Sequence, residues 1–178
     1  MELRSATQSD APAIARLHAN SWRFAYRGAL RDQYLDAEAD SDRLNLWQDR
    51  LGWPAPNQNV FILTDNASLI GFASVYVDDH PEFGSLLNNL HVADTSLRLG
   101  CGTRLMSAVH ACCCKHSPTS PVYLWVVDSN QRAQAFYSRL GAKFRGTDHW
   151  KPPGGGTALV YRFAWDSPNG IRLAKHAA

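Results

Sequence analysis

Residues 85–116 read SLLNNLHVADTSLRLGCGTRLMSAVHACCCKH. Leu86, Leu87, Leu90 and Val92 give the first part the apolar density of a buried strand. Asp94-Thr95-Ser96 is a polar turn, and two glycines follow, Gly100 and Gly102. Beyond them Leu105, Met106, Val109, Cys112 and Cys113 recur at helical spacing. The pattern predicts a strand, a glycine-containing loop and a helix. Such a loop leaves backbone N–H groups unpaired at the positive end of a helix dipole. An anion, most often a phosphate, fits there. A Cβ would hold that anion off the backbone, hence the glycines.

Three phosphate-binding motifs compete for this stretch. A Walker loop needs G-x-x-x-x-G-K-[ST], and the chain has no such run. A dinucleotide fingerprint needs G-x-G-x-x-G, but Leu105 occupies the third position, and seven residues separate Val92 from Gly100. Asp128 stands roughly where a ribose-binding acid would, so a nucleotide-binding protein stays among the alternatives. The third motif fits better. An L-x-V strand, a short polar link and Arg98-Leu99-Gly100-Cys101-Gly102 before a helix resemble the acyl-CoA loop of the GNAT superfamily of N-acetyltransferases. That loop is usually [QR]-x-x-G-x-[GA]; here Leu97 stands where Gln or Arg is expected. The backbone cradle needs only the glycines and the helix start, and Arg98 can still bring a cation to the phosphates.

A second stretch carries the same resemblance. Leu124 to Asn130 reads as a strand ending on a helix cap, followed by N-x-x-A-x-x-F-Y-x-x-x-G from Asn130 to Gly141. It is similar to the GNAT pattern of a strand, an Asn at a helix start, then F-Y-x-x-x-G-F, with Ala142 at the final aromatic position.

The remaining chain supplies matching elements. Glu2 to Ala6 alternates as a strand. Ser9 or Asp10 caps a helix with Pro12 in its first turn and Ala13, Ile14, Leu17, Ser21 and Phe24 on one face. A short helix is expected from Asp32 to Leu35 and another from Ser41 to Leu51. Val60–Thr64 and Leu69–Val77 form a hairpin, and Asp78 to Glu82 an acidic loop. Val122–Val127 is a strand, Gln131–Leu140 a helix, and Lys143–Thr147 with Thr157–Trp165 a closing hairpin. This order, β-α-α-β-β-β-α-β-α-β-β, predicts an α/β (α+β) chain. It also resembles the GNAT fold, which implies a single domain over 1–166. In that fold a central, mostly antiparallel mixed sheet, flanked by helices, splays between its fourth and fifth strands. Residues 167–178 read as a polar C-terminal tail.

Composition narrows the classes. With 178 residues, 45% hydrophobic and 19% charged, the chain reads as one soluble domain with an apolar core. A net charge of +2 is too mild for a nucleic-acid partner. No apolar run approaches a membrane span, and the N-terminus opens into a strand without a signal-peptide apolar region, so a cytoplasmic location and no membrane partner are expected. Cys101, Cys112, Cys113 and Cys114 include no C-x-x-C pair. Adjacent helical residues point ~100° apart, so the run cannot converge on a metal; no metal site is expected. Free thiols fit, with Cys112 and Cys113 toward the core and Cys114 more exposed.

The resemblance implies a role for named residues. Acetyl-CoA would be the cosubstrate. Leu90, His91 and Val92 would pair with the pantetheine arm through their backbone, and Leu97, Arg98, Leu99, Gly100, Cys101, Gly102 and Thr103 would hold the diphosphate. Asn130 would touch the arm, and Tyr137 would sit near the thioester sulfur and protonate the leaving thiolate. Phe136 occupies the apolar phase of its helix, which frees Tyr137 to face the cleft. His91 is the first candidate for the base, with Asp78, Asp79, His80, Glu82 or ordered water as alternatives. Strand alternation puts Asn89 and His91 on one face and Leu90 and Val92 on the other. Trp22 and Tyr26, one helical turn apart, would line the acceptor side with Arg23, opposite a loop carrying His149, Trp150 and Lys151. The implied reaction is direct acetyl transfer to a primary amine of a small molecule or peptide, and a homodimer would be usual among similar proteins. A non-catalytic acyl-CoA binder of the same fold is the alternative.

Overall fold

Strand β4 (Gly84–Val92) runs between two neighbours and pairs fully with only one of them. The computed structural model describes residues 1–173. Its elements are β1 (Glu2–Ser5), α1 (Ala11–Ala25), α2 (Ala39–Gly52), β2 (Gln58–Asp65), β3 (Ser68–His80), β4, α3 (Cys101–His116), β5 (Val122–Val127), α4 (Gln131–Arg139), β6 (Lys143–Trp150) and β7 (Ala158–Trp165). They build one seven-stranded sheet in the order β1-β2-β3-β4-β5-β7-β6. Every pairing is antiparallel except β4 with β5, which α3 joins as a crossover helix.

Period-two alternation sorts the strands between two layers. Leu63, Ala73, Val75, Leu124 and Val126 face α3, whose Leu105, Met106, Val109 and Cys113 pack onto them. Val60, Ile62 and Phe72 face the other way, against Ile14 and Ala15 of α1 and Trp47 of α2. Each large apolar side chain buried this way contributes roughly 1.5–3 kcal/mol. Cys112 and Cys113 are buried and Cys114 is half-buried, all as free thiols.

Three local expectations shift. The acidic loop is largely strand: β3 continues to His80, because Asp79 accepts the Tyr123 hydroxyl at 2.7 Å and the Asp78 N–H donates to Ser85 Oγ at 3.1 Å. The short helix before α2 is instead a π-helical turn, Tyr34–Glu38, running directly into α2. The stretch after Trp165, polar by composition, docks at first: Ile171 is buried in the main core, and the Arg172 N–H donates to the Leu140 carbonyl at 2.8 Å. Residues 174–178 of that stretch lie outside the described residues.

The β4–β5 seam positions the site. Only Ser85↔Val122 and Leu86↔Tyr123 are in register; beyond them the strands diverge. The seam is tight at its closed end, where a Cβ on Gly84 would lie 2.1 Å from the Pro121 carbonyl oxygen. On the other flank, β3 pairs Ser74 with Asn89 and Val75 with Leu87, so Asn88 is an extra residue that bulges β4. From Leu87 onward the β5-facing edge of β4 has no strand partner.

Candidate active site in the sheet wedge

The diverging strands open a cleft of about 1570 Å³. Its walls come from the C-terminal half of α1, from α2, the β4 edge, the 97–103 loop, α4 and the end of β6. The residues expected to hold the cosubstrate and to line the acceptor side all line it except Leu99 and Arg23. Leu99 is 60% exposed and turns to solvent. Arg23 points outward, donating from Nε to the Leu35 carbonyl at 2.8 Å and pairing with Asp40, so it ties α1 to the π-helical turn. Asp78, Asp79, His80 and Glu82 lie outside the cleft lining. Asp79 takes the Tyr123 hydroxyl, and His80 Nδ1 accepts the backbone N–H groups of Glu82 and Phe83 at 3.1 and 3.2 Å.

At one end the cleft meets the N-terminus of α3. Gly100, the cap residue, has φ +77°, and Arg98 two residues earlier has φ +64°. A side chain at Gly100 would meet no neighbour, so the left-handed backbone, not space, calls for glycine there. Gly102 answers a different need: its Cβ would come within 3.1 Å of Phe136 Cζ, so glycine lets α3 and α4 approach. The Arg104 N–H reaches the Gly100 carbonyl at 3.0 Å, and the first-turn amides ahead of it have no carbonyl one turn back. Asn130 caps α4, its Oδ1 accepting the Ala133 N–H at 3.1 Å, and also lines the cleft. Among the described residues, six Arg or Lys side chains and two Asp line the cleft as a whole. That excess of positive charge, with a glycine-lined helix start, fits a diphosphate-bearing cosubstrate.

The middle of the cleft corrects one expectation about α4. Tyr137, not Phe136, is the buried member of the pair, 7% exposed and packed edge-on to Trp165 at 6.2 Å. Both side chains still line the cleft. Burial raises the Tyr137 phenol above its ordinary range, with Tyr26 adding to the shift. It holds its proton across the physiological range. Burial likewise pushes Tyr26 up to about 12.

The inner end is built from residues that sequence reasoning passed over. His18 of α1 is 1% exposed, and its ring lies 4.6 Å from that of His91 and 4.8 Å from Trp22. The Trp47 indole N–H donates to His18 Nδ1 at 3.0 Å. Arg43 of α2 is buried, with its guanidinium 4.3 Å from the centre of the Trp22 ring. Arg50 donates to Asn89 Oδ1 at 3.2 Å; turning the Asn88 amide lets its oxygen accept from both Arg50 Nη atoms, at 3.2 and 3.1 Å. The bulge at Asn88 puts both amides within reach of one guanidinium. A signal for these residues did exist: 18, 22 and 26 share a face of α1, as do 43, 47 and 50 of α2.

Burial, then the Arg43 charge, lowers His91 to about 4. Burial, then His91, Arg43 and Arg50, takes His18 well below its ordinary value. Both rings are neutral in the folded chain, whereas an unfolded histidine titrates near ~6.5. From about 4 to ~6.5 the unfolded chain therefore binds more protons. Stability is complete above that window and is lost as pH falls through it. His91 alone should cost about 2 kcal/mol by pH ~5, roughly 4–8 °C in Tm. Calorimetric scans against pH should record this, with a shallower acid slope in His91→Gln.

Comparison with known proteins places this geometry in a class. The sequence model of the Acetyltransferase (GNAT) family matches residues 16–142. A probable N-acetyltransferase of Mycobacterium tuberculosis is 29% identical over 181 residues, covering 96% of this chain and 97% of that protein. The PaiA N-acetyltransferase of Thermoplasma acidophilum, solved with coenzyme A, superposes with TM-score 0.70 at 18% identity, covering 92% of this chain and 98% of that one. NAA60 of Arabidopsis thaliana, solved with a bisubstrate analogue, superposes at 0.67 and 18% identity over 92% and 96% of the two chains. The chain belongs to the GNAT acetyltransferase family. It is an acetyl-CoA-dependent acyltransferase. Among the described residues no group of three His, Cys, Asp or Glu is placed to hold a metal ion, and no helix is long and apolar enough to cross a membrane.

Proposed function

We propose that this protein transfers the acetyl group of acetyl-CoA to a primary amine of a small molecule or peptide by direct attack. The observation that carries this reading is the unpaired β5-facing edge of β4 from Leu87 onward, leading to the first-turn amides of α3. Acetyl-CoA, when bound, supplies an activated acetyl thioester. The backbone of Leu90 to Val92 offers an edge to pair with an extended amide-bearing arm. The same edge offers N–H donors to an acetyl oxygen. Gly100 to Thr103 receive phosphate, helped by Arg98.

His91 and Tyr137 divide the proton work. The burial that keeps His91 neutral also favours a neutral acceptor amine, so little proton abstraction is needed before attack. The neutral His91 ring accepts the proton the amine sheds as it acylates, directly or through water. No hydrogen bond to a protein group occupies the Tyr137 hydroxyl among the described residues. With its proton held tightly, it stabilises the departing sulfur as a hydrogen-bond donor more than as a full acid. Four free cysteines are in keeping with a reducing, cytoplasmic setting.

Calorimetry with acetyl-CoA, paired with a CoA-release assay over a panel of amines, tests the reading. Uptake with amine-dependent CoA release is expected. Uptake without release from any amine points to a non-catalytic acyl-CoA binder, and no uptake ends the proposal.

A further inference from the structure

Among the described residues, two buried nitrogen donors at the inner end of the cleft have no partner. The Trp47 indole can only donate, so His18 Nδ1 is the acceptor and the neutral ring carries its proton on Nε2. That Nε2 is buried and makes no hydrogen bond. Arg43 is 6% exposed and brings five N–H donors. It spends one on a recorded bond, from Nη2 to Asp42 Oδ2 at 2.7 Å, and its buried Nε has none. Asp42 sits at the surface end of that pair and also receives the Tyr34 hydroxyl. Buried donors of this kind are costly unless something accepts from them.

The charges around them are one-sided. Arg43 and Arg50 both line this end, and the cleft-lining carboxylates are elsewhere: Asp94 beside the α3 cradle and Asp148 on β6, where it accepts the His149 N–H. Among the described residues, no carboxylate lines this end to pair with a second ammonium group. A planar oxyanion, by contrast, would satisfy a guanidinium edge and an imidazole N–H together. The donors are flanked by aromatic rings. Trp22 lies 4.8 Å from His18, 5.6 Å from Tyr26 and 5.7 Å from Trp150, all lining the cleft.

We propose, building on the transferase reading above, that the acceptor is an amine that also bears a carboxylate, an amino acid or close analogue. Arg43 and the His18 Nε2–H hold its carboxylate, and Trp22, Tyr26 and Trp150 enclose its apolar side chain. Its amine then lies toward His91, whose ring is tilted against that of His18 at 4.6 Å between centroids. Polyamines are poor acceptors, because the buried Arg43 and half-buried Arg50 guanidiniums repel them. The bond that forms is an amide to the α-nitrogen; the thioester bond breaks, and the amine's proton leaves through His91 while the thiolate stays with CoA.

The test is equilibrium binding to the CoA-loaded protein, with CoA uptake measured first. Phenylalanine, methionine and leucine are compared with the amines that remain when each loses its carboxylate, and with spermidine. At least about 30-fold tighter binding of the amino acids is expected, the usual worth of a buried charged contact. In Arg43→Gln that preference should shrink to a few-fold, with CoA affinity unchanged. Equal or tighter binding of the decarboxylated partners, or no binding of any amino acid at millimolar concentration, overturns the inference. The wild-type comparison decides this whether or not the variant folds. Loss of CoA uptake would instead strike the transferase reading, and efficient acetylation of amines lacking a carboxylate would sink the acceptor class alone.

Discussion

Gly102→Asp should weaken acetyl-CoA binding by about 100-fold, or about 2.7 kcal/mol. Gly102 lies in the first turn of α3, at the end of the wedge where backbone amides lack acceptors. An aspartate there does two things. Its carboxylate takes up the N–H groups and the dipole that would otherwise serve a phosphate, and it repels that phosphate. Its Cβ also presses on Phe136, 3.1 Å from the Cζ atom. Phe136 is half-buried at the cleft edge and gives way, so the fold survives. The acid near a helix N-terminus returns roughly 0.3–1 kcal/mol to the helix. Calorimetry reads the affinity and circular dichroism the helix content; affinity within threefold of wild type would rule out the cradle. Gly102→Ala, carrying the steric part alone, should lose much less.

Tyr137→Phe should lower kcat by roughly 10- to 100-fold, at the low end of what a positioned proton donor contributes. Acetyl-CoA affinity should stay within about twofold, because what is lost acts on the departing sulfur. The low end follows from burial. A phenol pushed above its ordinary range donates a hydrogen bond well but surrenders its proton reluctantly. For the same reason the tyrosine should add no basic limb to the pH profile below pH ~10. Phenylalanine keeps the edge-on contact with Trp165, so thermal stability should change little. An unaltered kcat across pH would take Tyr137 out of the reaction.

How far these sites could be read from the chain depends on how local they are. The proposed diphosphate cradle is consecutive backbone, so Gly100, Gly102 and the helix that follows announce it in a dozen residues. Asn130 is equally local: a cap is defined by its own helix. The phase of α4 was not. Both Phe136 and Tyr137 meet apolar neighbours, one across α3 at Gly102 and the other against Trp165 of β7. A helical period cannot say which neighbour buries its residue more deeply. The acidic run after Val77 misled for a related reason. Asp79 reads as solvated until Tyr123, remote in sequence, is seen to donate to it.

The chain by itself determined the order of elements, the glycine-bearing start of α3 and the family, because periodicity, capping and turn chemistry act over a few neighbouring residues. Only the tertiary structure brought together the residues proposed to hold the acceptor. His18, Arg43 and His91 come from α1, α2 and β4, and their neutrality, charge and missing partners arise when the two helices close over the sheet and exclude water. Desolvation belongs to the assembled site, and no stretch of sequence carries it.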